Sequence, residues 1–453
     1  MEYTGKKVLV VGMARSGIAA AQLLCMHGAV VTVNDSKTEE QLGEALHALD
    51  GSPVIRAFGR GAAELLEGKD CLVISPGIPD TAPFVVKAKE MGLYVTGELE
   101  VAFSLSKGTM VAVSGTNGKT TTVSLLGEIF TNAGKATHVV GNIGYPYSLA
   151  AMTAKPQDVV VCEVSSFQME TADTFHPHVA VLTNITEDHL NRHGTMEVYT
   201  EMKMRMFRRQ TAEDFAVFNA DDPALKGLHR KTRARVMFFS RQKEVAYGAF
   251  VRDGQIILRT EEKERAVCGT DEIYIPGPHN LENALAAVCA AAAMNVPAPV
   301  IRHTLKTFRG VEHRIETVRV LDDVTYINDS KGTNTDSTIK AVQTMTRPTA
   351  IILGGYDKHC SFVPLAQEMI KTPEIRHAVL IGETADQIEG ALRDAGFSSV
   401  ERAGTLQEAV EKCRRKAESG WNVLLSPACA SFDMFEDYEA RGRIFKEIVN
   451  ALQ

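Results

Sequence analysis

Val111-Ala-Val-Ser-Gly-Thr-Asn-Gly-Lys-Thr-Thr-Thr-Val123 decides how this chain is read. An apolar run ends in a turn bracketed by Gly115 and Gly118. The turn passes through Lys119, Thr120 and Thr121 into a helical pattern, VSLLGEIFTNAG, over 123–134. Strand, glycine turn and helix in that order predict a phosphate cradle. The glycines let backbone N–H groups point inward, the helix start adds the positive end of its dipole, and Lys119 supplies a point charge. The Thr120 hydroxyl is placed to ligate the magnesium that accompanies a nucleoside triphosphate. Val113 stands where the G-x-x-x-x-G-K-[ST] pattern has its first glycine, so an ordinary glycine-rich turn is the competing reading. The expectation is that the chain binds ATP.

At 453 residues the chain exceeds a single core, and two or three domains are expected. The 45% apolar and 23% charged fractions fit a soluble globular protein. A net charge of −7 leaves no basic footprint for nucleic acid. No window approaches the roughly 20 apolar residues of a membrane span. The start, MEYTGKKVLVVG, enters a strand without a signal-peptide pattern, so the expected location is cytoplasmic. The eight cysteines form no C-x-x-C pair and mostly sit in apolar runs such as VVVCEV, which predicts reduced core thiols.

Three stretches alternate β-rich apolar runs with helical runs, the pattern of parallel sheets. The first holds KKVLVVG, AVVTVND, CLVISPG and LYVTGE. The second begins at GTMVAVSG and holds DVVVCEV, HVAVLTNI and DFAVFNADD, then a hairpin whose turn is Asp253-Gly254, then an Ala-rich helix from about 280 to 295. The third begins near Phe308-Arg309-Gly310 and holds VTYIND, TAIILGG, HAVLIG and NVLLSPA. The expected fold is α/β with three domains. These are a Rossmann-like domain at 1–98, a central P-loop ATPase-like domain with a mostly parallel sheet at 99–309, and a Rossmann-like domain at 310–453. Ligands of such sheets bind beyond the carboxyl ends of the strands.

Unusual residues fall at those ends. VLVVGMARSG followed 23 residues after Gly12 by Asp35 resembles a dinucleotide fingerprint, but Ala14 replaces its middle glycine. A nucleotide-like ligand bound differently from NAD fits better, with the loop Ser75-Pro76-Gly77-Ile78 completing the site; a plain βα turn is the alternative. In DVVVCEVSSFQME, Glu163 leaves a buried strand, which is costly unless it meets a cation or hydrogen bonds. Magnesium is its natural partner, and a helix-capping role the alternative. Thr186-Glu187-Asp188-His189 follows the next strand; His189 is either a metal ligand or a core histidine, and taken alone the core is favoured.

The run after Thr195 reads as a helix with an apolar stripe of Met196, Tyr199, Met202, Met206 and Phe207. Lys203 lies in that stripe. Taken alone it snorkels; if held inside, its lowered pKa makes it a nucleophile that captures CO₂ as a metal-binding carbamate. Asn280 and Asn283 either cap a helix or recognise base and ribose. His313, Arg314, Asp329, Lys331, Thr333, Asn334, Lys358, Ser431 and Phe432 gather at strand ends of the third stretch, a density that suits phosphate or carboxylate handling.

Together GTNGKTT, EVSSFQ, NITEDHL, the lysine of YTEMKMRMF, HNLENALAA, EHRIE, NDSKGTN, GGYDK and SPACASFDMFEDYEARG resemble the Mur ligase family of peptidoglycan synthesis, over essentially the whole chain. GNIG at 141–144, SSFQ and SPACASFD point to the member that adds D-glutamate to UDP-N-acetylmuramoyl-L-alanine, a role in cell-wall biogenesis, cell shape and division. The resemblance implies that Lys119 holds the β/γ-phosphates within Gly115, Thr116, Asn117, Gly118, Thr120 and Thr121. It implies that Thr120 and Glu163 ligate one magnesium, and that His189 and carbamylated Lys203 ligate a second. Asn142 would position substrate and phosphate; Asn280, Asn283, Arg314 and Asp329 would hold adenine and ribose. Ser16, Asp35, Ser36 and Gly77 would meet the UDP end, and Lys331, Thr333, Lys358, Ser431 and Phe432 the D-glutamate.

ATP would convert a carboxylate, a poor electrophile, into an acyl phosphate, with Lys119 and two metals offsetting the crowding of anions. The incoming amine would lose its proton to His189 or to water. Hinged domains would close to keep water from the acyl phosphate. The implied partners are the two small-molecule substrates, with no nucleic acid and no membrane span, and the chain is read as a monomer. The competing readings are a sister ligase for L-alanine, a diamino acid or folate-linked glutamate, a nicotinamide oxidoreductase, and a non-enzymatic ATP switch.

Overall fold

Each of the three apolar stretches closes into its own sheet, because strands this continuously hydrophobic must be covered on both faces. The structure, a computed structural model, describes residues 2–453 apart from 143–144, 262 and 358–359. The chain separates into two compact units, Met1–Tyr274 with Asn280–Phe308, and Ile275–His279 with Arg309–Gln453.

The first unit holds two sheets. One has five parallel strands in spatial order Val54–Arg56, Val30–Asn34, Lys7–Val11, Cys71–Ile74, Tyr94–Gly97. Four were expected; Val54–Arg56 is a three-residue edge strand, largely exposed, with no apolar run to announce it. The strand order reverses beside Lys7–Val11, and the crevice above such a reversal is where ligands of these sheets sit.

The other sheet has nine strands, in order Glu264–Gly269, Gln255–Arg259, Gly248–Arg252, Arg235–Ser240, Phe215–Asn219, Val179–Leu182, Thr109–Ser114, Val159–Glu163, Thr137–Gly141. It is parallel except around Gln255–Arg259, whose two neighbours run against it. Asp253 and Gly254 both have positive φ, +48° and +71°, as a type I′ turn requires. The pairing that matters for chemistry is central. Val113 faces Glu163 on one side of Thr109–Ser114, and Ser114 faces Leu182 on the other. The glycine turn after Ser114 therefore lies between a carboxylate and the polar segment that follows Leu182.

The second unit is a six-stranded sheet, Glu316–Leu321, Val324–Asn328, Asn422–Leu425, Thr349–Leu353, Ile375–Leu380, Val400–Arg402. Only its first pair is antiparallel. Helices Thr335–Gln343, Val363–Lys371 and Ala385–Asp394 cover one face. Leu406–Lys416 and Tyr438–Ala451 cover the other. Among the described residues no cysteine forms a disulfide; Cys360 departs from the expected core placement and is exposed. Among the described residues no helix is long and apolar enough to cross a membrane.

Candidate active site

The turn after Ser114 depends on two glycines. Gly115 has φ +149°, and a Cβ there would lie 2.0 Å from Thr183 Oγ1. Gly118, at φ +84°, opens helix Lys119–Asn132, and its Cβ would lie 2.3 Å from Asn283 Oδ1. The loop between them is bonded to the segment beyond strand Val179–Leu182. Asn117 N–H donates to Asn184 Oδ1 at 2.8 Å, and Thr183 Oγ1 donates to Asn117 O at 2.6 Å. Thr116 Oγ1 pairs with Tyr199 OH at 3.1 Å. Thr183 and Asn184, which hold this loop, were passed over in the sequence as the end of an apolar run.

Two amines converge on one carbonyl. Lys119 Nζ donates to Gly115 O at 2.9 Å and Thr116 O at 2.7 Å, and Lys203 Nζ donates to Gly115 O at 2.8 Å. Lys203 is only 2% exposed, so it does not snorkel. Burial, reinforced by the Lys119 charge, holds its pKa well below the usual lysine range. The helix that carries it, Met196–Met204, is capped by Thr195 as expected. Its buried face is Tyr199, Lys203 and Met204, continued by Met206 and Phe207, whereas Met196 and Met202 are half-buried.

Glu163, also buried, accepts from Thr120 Oγ1 at 2.8 Å and from Asn142 Nδ2 at 3.0 Å. The buried carboxylate of Glu163 and the Thr120 hydroxyl beside it are hard oxygens of the kind that suit magnesium. Glu163 caps no helix; Ser165 does that for Ser166–Met169. Thr121 Oγ1 is buried without a hydrogen-bond partner, on the first turn of the cradle helix. His189 is not a core residue. Its side chain is 38% exposed, its φ is +54°, and its ring packs on Phe167 at 4.7 Å and near Tyr199 at 6.4 Å. Tyr199 in turn lies 4.6 Å beneath the Lys203 amine.

Asn280 and Asn283 sit inside the first turns of helix Pro278–Ala293, so neither is its cap. Asn283 Nδ2 donates to Asn280 Oδ1 at 3.2 Å, and its oxygen backs Gly118. In the five-stranded sheet, Met13 N–H donates to Asp35 Oδ2 at 2.8 Å and Ser75 Oγ donates to Gly12 O at 2.8 Å. Three strand ends are thereby tied together at the reversal point. Ser16 is half-buried there, and Ser36 and Gly77 are exposed.

In the second unit, Asp329 is buried and accepts from Ser426 Oγ at 2.6 Å. Burial raises its pKa to about 6 against the opposing charge of Arg314. Lys331 Nζ donates to Tyr438 OH at 3.1 Å. Ser431 is buried, Phe432 is 66% exposed, and Thr333 is half-buried. Arg441, fully buried, organises this end. Its guanidinium donates to Ser330 Oγ and O at 2.9 and 2.8 Å, to Cys429 O at 3.2 Å and to Ala430 O at 3.3 Å. Two loops carrying the expected amino-acid residues thus hang on one cation that sequence reasoning missed. Lys358, and Ile143 and Gly144 of the GNIG segment, lie outside the described residues.

The fold and the glycine turn define an α/β nucleotide-binding protein of three sheets. Family descriptions match each sheet in turn: the Mur ligase MurD-like N-terminal domain at 6–97, the Mur ligase middle domain at 113–291, and the Mur ligase glutamate ligase domain at 313–429. The chain is 45% identical over the full length of both to the UDP-N-acetylmuramoylalanine–D-glutamate ligase of Alkaliphilus oremlandii, and equally so to that of Clostridioides difficile. Its fold is similar to that of UDP-N-acetylmuramate-alanine ligase MurC from Thermotoga maritima, at 19% identity and a TM-score of 0.63, covering 98% of this chain and 99% of that one. The chain belongs to the Mur ligase family.

Proposed function

We infer that this enzyme joins D-glutamate to UDP-N-acetylmuramoyl-L-alanine with conversion of ATP to ADP and phosphate, in peptidoglycan synthesis. The observation that carries the reading is the meeting of Lys119 and Lys203 on Gly115 O, just past the end of strand Thr109–Ser114 at which Val113 faces Glu163. The full-length likeness to D-glutamate ligases supports the choice of substrates. We assign 1–98 to the sugar nucleotide, 99–309 to ATP and 310–453 to the amino acid.

Lys119 turns from its own loop carbonyls to the β/γ-phosphates, and the N–H groups of 115–121 close around them. Thr121 Oγ1, unpaired in the protein, gains an acceptor. Thr120 with Glu163, and His189 with the carbamate of Lys203, would hold two magnesium ions, which supply charge neutralisation where triphosphate and carboxylate meet. The neutral amine of Lys203 adds to CO₂ and releases one proton, changing a buried base into a buried anion. Asn142, already bonded to Glu163, orients the substrate carboxylate. That carboxylate attacks the γ-phosphorus, ADP leaves, and the D-glutamate amine, once deprotonated, displaces phosphate from the acyl phosphate.

Asn280 and Asn283, and in the second unit Arg314 and Asp329, are assigned to the adenosine. Ser16, Asp35, Ser36 and Gly77 are assigned to the UDP group. Lys331, Thr333, Lys358, Ser431 and Phe432 are assigned to D-glutamate. The test is release of phosphate from ATP with each substrate alone and with both. Release is expected only with UDP-N-acetylmuramoyl-L-alanine and D-glutamate together. Equal release with L-alanine and the unsubstituted sugar nucleotide contradicts the assignment.

A further inference from the structure

Arg192 lies in the four-residue helix Leu190–His193, directly after His189 and its positive φ. No role in phosphate or metal handling falls to it, yet its side chain is 15% exposed and each of its three guanidinium nitrogens donates a hydrogen bond. Nε and Nη2 donate to the two oxygens of Glu170 at 3.0 and 2.6 Å. The same fork donates to three consecutive carbonyls of the five-stranded sheet's loop: Nη2 to Pro76 O at 3.4 Å and Ile78 O at 3.0 Å, and Nη1 to Gly77 O at 3.2 Å. Arg192 Cζ lies 4.9 Å from the centroid of the Phe167 ring, the ring that also packs against His189 at 4.7 Å.

The ends of loop 75–78 are held within its own sheet. Ser75 N–H donates to Val11 O at 3.1 Å, Ser75 Oγ donates to Gly12 O, and Ile78 N–H donates to the loop's own Ser75 O. Ile78 packs against the apolar cluster of Leu9 and Ile74, while the carbonyls of 76–78 turn to Arg192. Gly77 is exposed, with no atom within 4 Å of where its Cβ would be. Carbonyls at three successive residues can share a cation only if it is broad and planar and carries several donors, which a guanidinium does and an ammonium does not. Glu170 holds that guanidinium in place and offsets its charge.

We propose that Arg192, held by Glu170, is the positioning residue that sets loop 75–78 for the sugar nucleotide and couples it through Phe167 to His189. This rests on the assignment of Gly77 to the UDP end. Arg192 itself touches no reacting atom. Its effect is on where the sugar-nucleotide loop stands relative to the histidine turn, and therefore on one substrate of three.

The test compares Arg192→Lys, Arg192→Gln and Glu170→Gln with the unaltered enzyme, measuring KM for each substrate, kcat, and the thermal midpoint. Expected is a rise of about tenfold or more in KM for UDP-N-acetylmuramoyl-L-alanine in both Arg192 variants, with KM for ATP and D-glutamate within about twofold. Lysine should not rescue, because the fork and not the charge does the positioning. Glu170→Gln should give a smaller rise of the same kind, and it serves as the second variant if the Arg192 forms do not fold. An equal rise in all three KM values, a fall in kcat alone, or full recovery with lysine overturns the proposal. Absence of D-glutamate-dependent phosphate release in the unaltered enzyme would instead overturn the functional assignment on which it stands.

Discussion

Lys203, in helix Met196–Met204, and Phe432, on the loop after strand Asn422–Leu425, belong to two differently built regions. The first is 2% exposed, donates to a loop carbonyl, and is stripped of much of its basicity by burial. The second is 66% exposed, on a loop whose backbone is fixed from beneath by Arg441. Around the glycine turn Lys119, Thr120, Glu163 and Lys203 are all hydrogen-bonded within the protein. In the second unit Arg441 fixes loop carbonyls, and of the side chains on that loop Ser431 is buried while Phe432 is left in solvent. Activating a carboxylate needs charges set in advance in a site that excludes water, because reorganising them during reaction costs rate. Recognising a small, charged amino acid needs a firm frame and accessible groups.

The largest effect should come from the buried amine of Lys203. Lys203→Ala is expected to lower kcat by on the order of 10³-fold, as for loss of one preorganised charge, and to regain part of it with a short carboxylic acid in the assay. Full activity without the acid would remove the carbamate and erase the contrast with the second unit.

Asp329 tests whether the second unit also stores a buried charge. Its pKa is raised from 3.8 to about 6, so the fold favours the protonated acid. That stabilisation is complete below pH 3.8 and is lost as pH rises through about 6. Asp329→Asn, which cannot ionise, should therefore gain stability relative to the unaltered protein, by about 3 kcal/mol between pH 4 and 7. Urea unfolding at both pH values checks this; a difference independent of pH contradicts it.

Gly118→Ala should cost about 1–3 kcal/mol and raise the KM for ATP, because the residue has positive φ and its Cβ would meet Asn283 Oδ1 at 2.3 Å. Adding Asn283→Ala should recover part of the loss. Strict additivity of the two would show that the carboxamide does not back the loop. The smallest effect is assigned to Phe432→Ala, below about 0.5 kcal/mol in stability as for an exposed side chain, with a several-fold rise in KM for D-glutamate only. A large loss of stability would mean that the second unit is built like the first.

How much was legible in the sequence follows the same division. The phosphate turn was readable because strand, glycines, lysine and helix are neighbours along the chain. The Asp253-Gly254 turn was readable for the same reason. The burial of Lys203 was not, since its partner Gly115 O is 88 residues away and an apolar stripe alone does not tell a held lysine from a snorkelling one. His189 was likewise placed by Phe167 and Tyr199, which lie on two other helices. Arg192 and Arg441 escaped because most of their partners are backbone carbonyls, and a carbonyl leaves no mark on residue identity. The edge strands Val54–Arg56, Glu316–Leu321 and Val400–Arg402 escaped because half-exposed edges carry charged residues in place of apolar runs.

The central claim is that the buried centre around Gly115 activates a carboxylate by phosphorylation. UDP-N-acetylmuramoyl-L-alanine labelled with ¹⁸O in both carboxylate oxygens, turned over with ATP and D-glutamate, tests it most directly. The account predicts that each phosphate released carries one ¹⁸O and the new amide keeps the other. Unlabelled phosphate with full amide formation would contradict it.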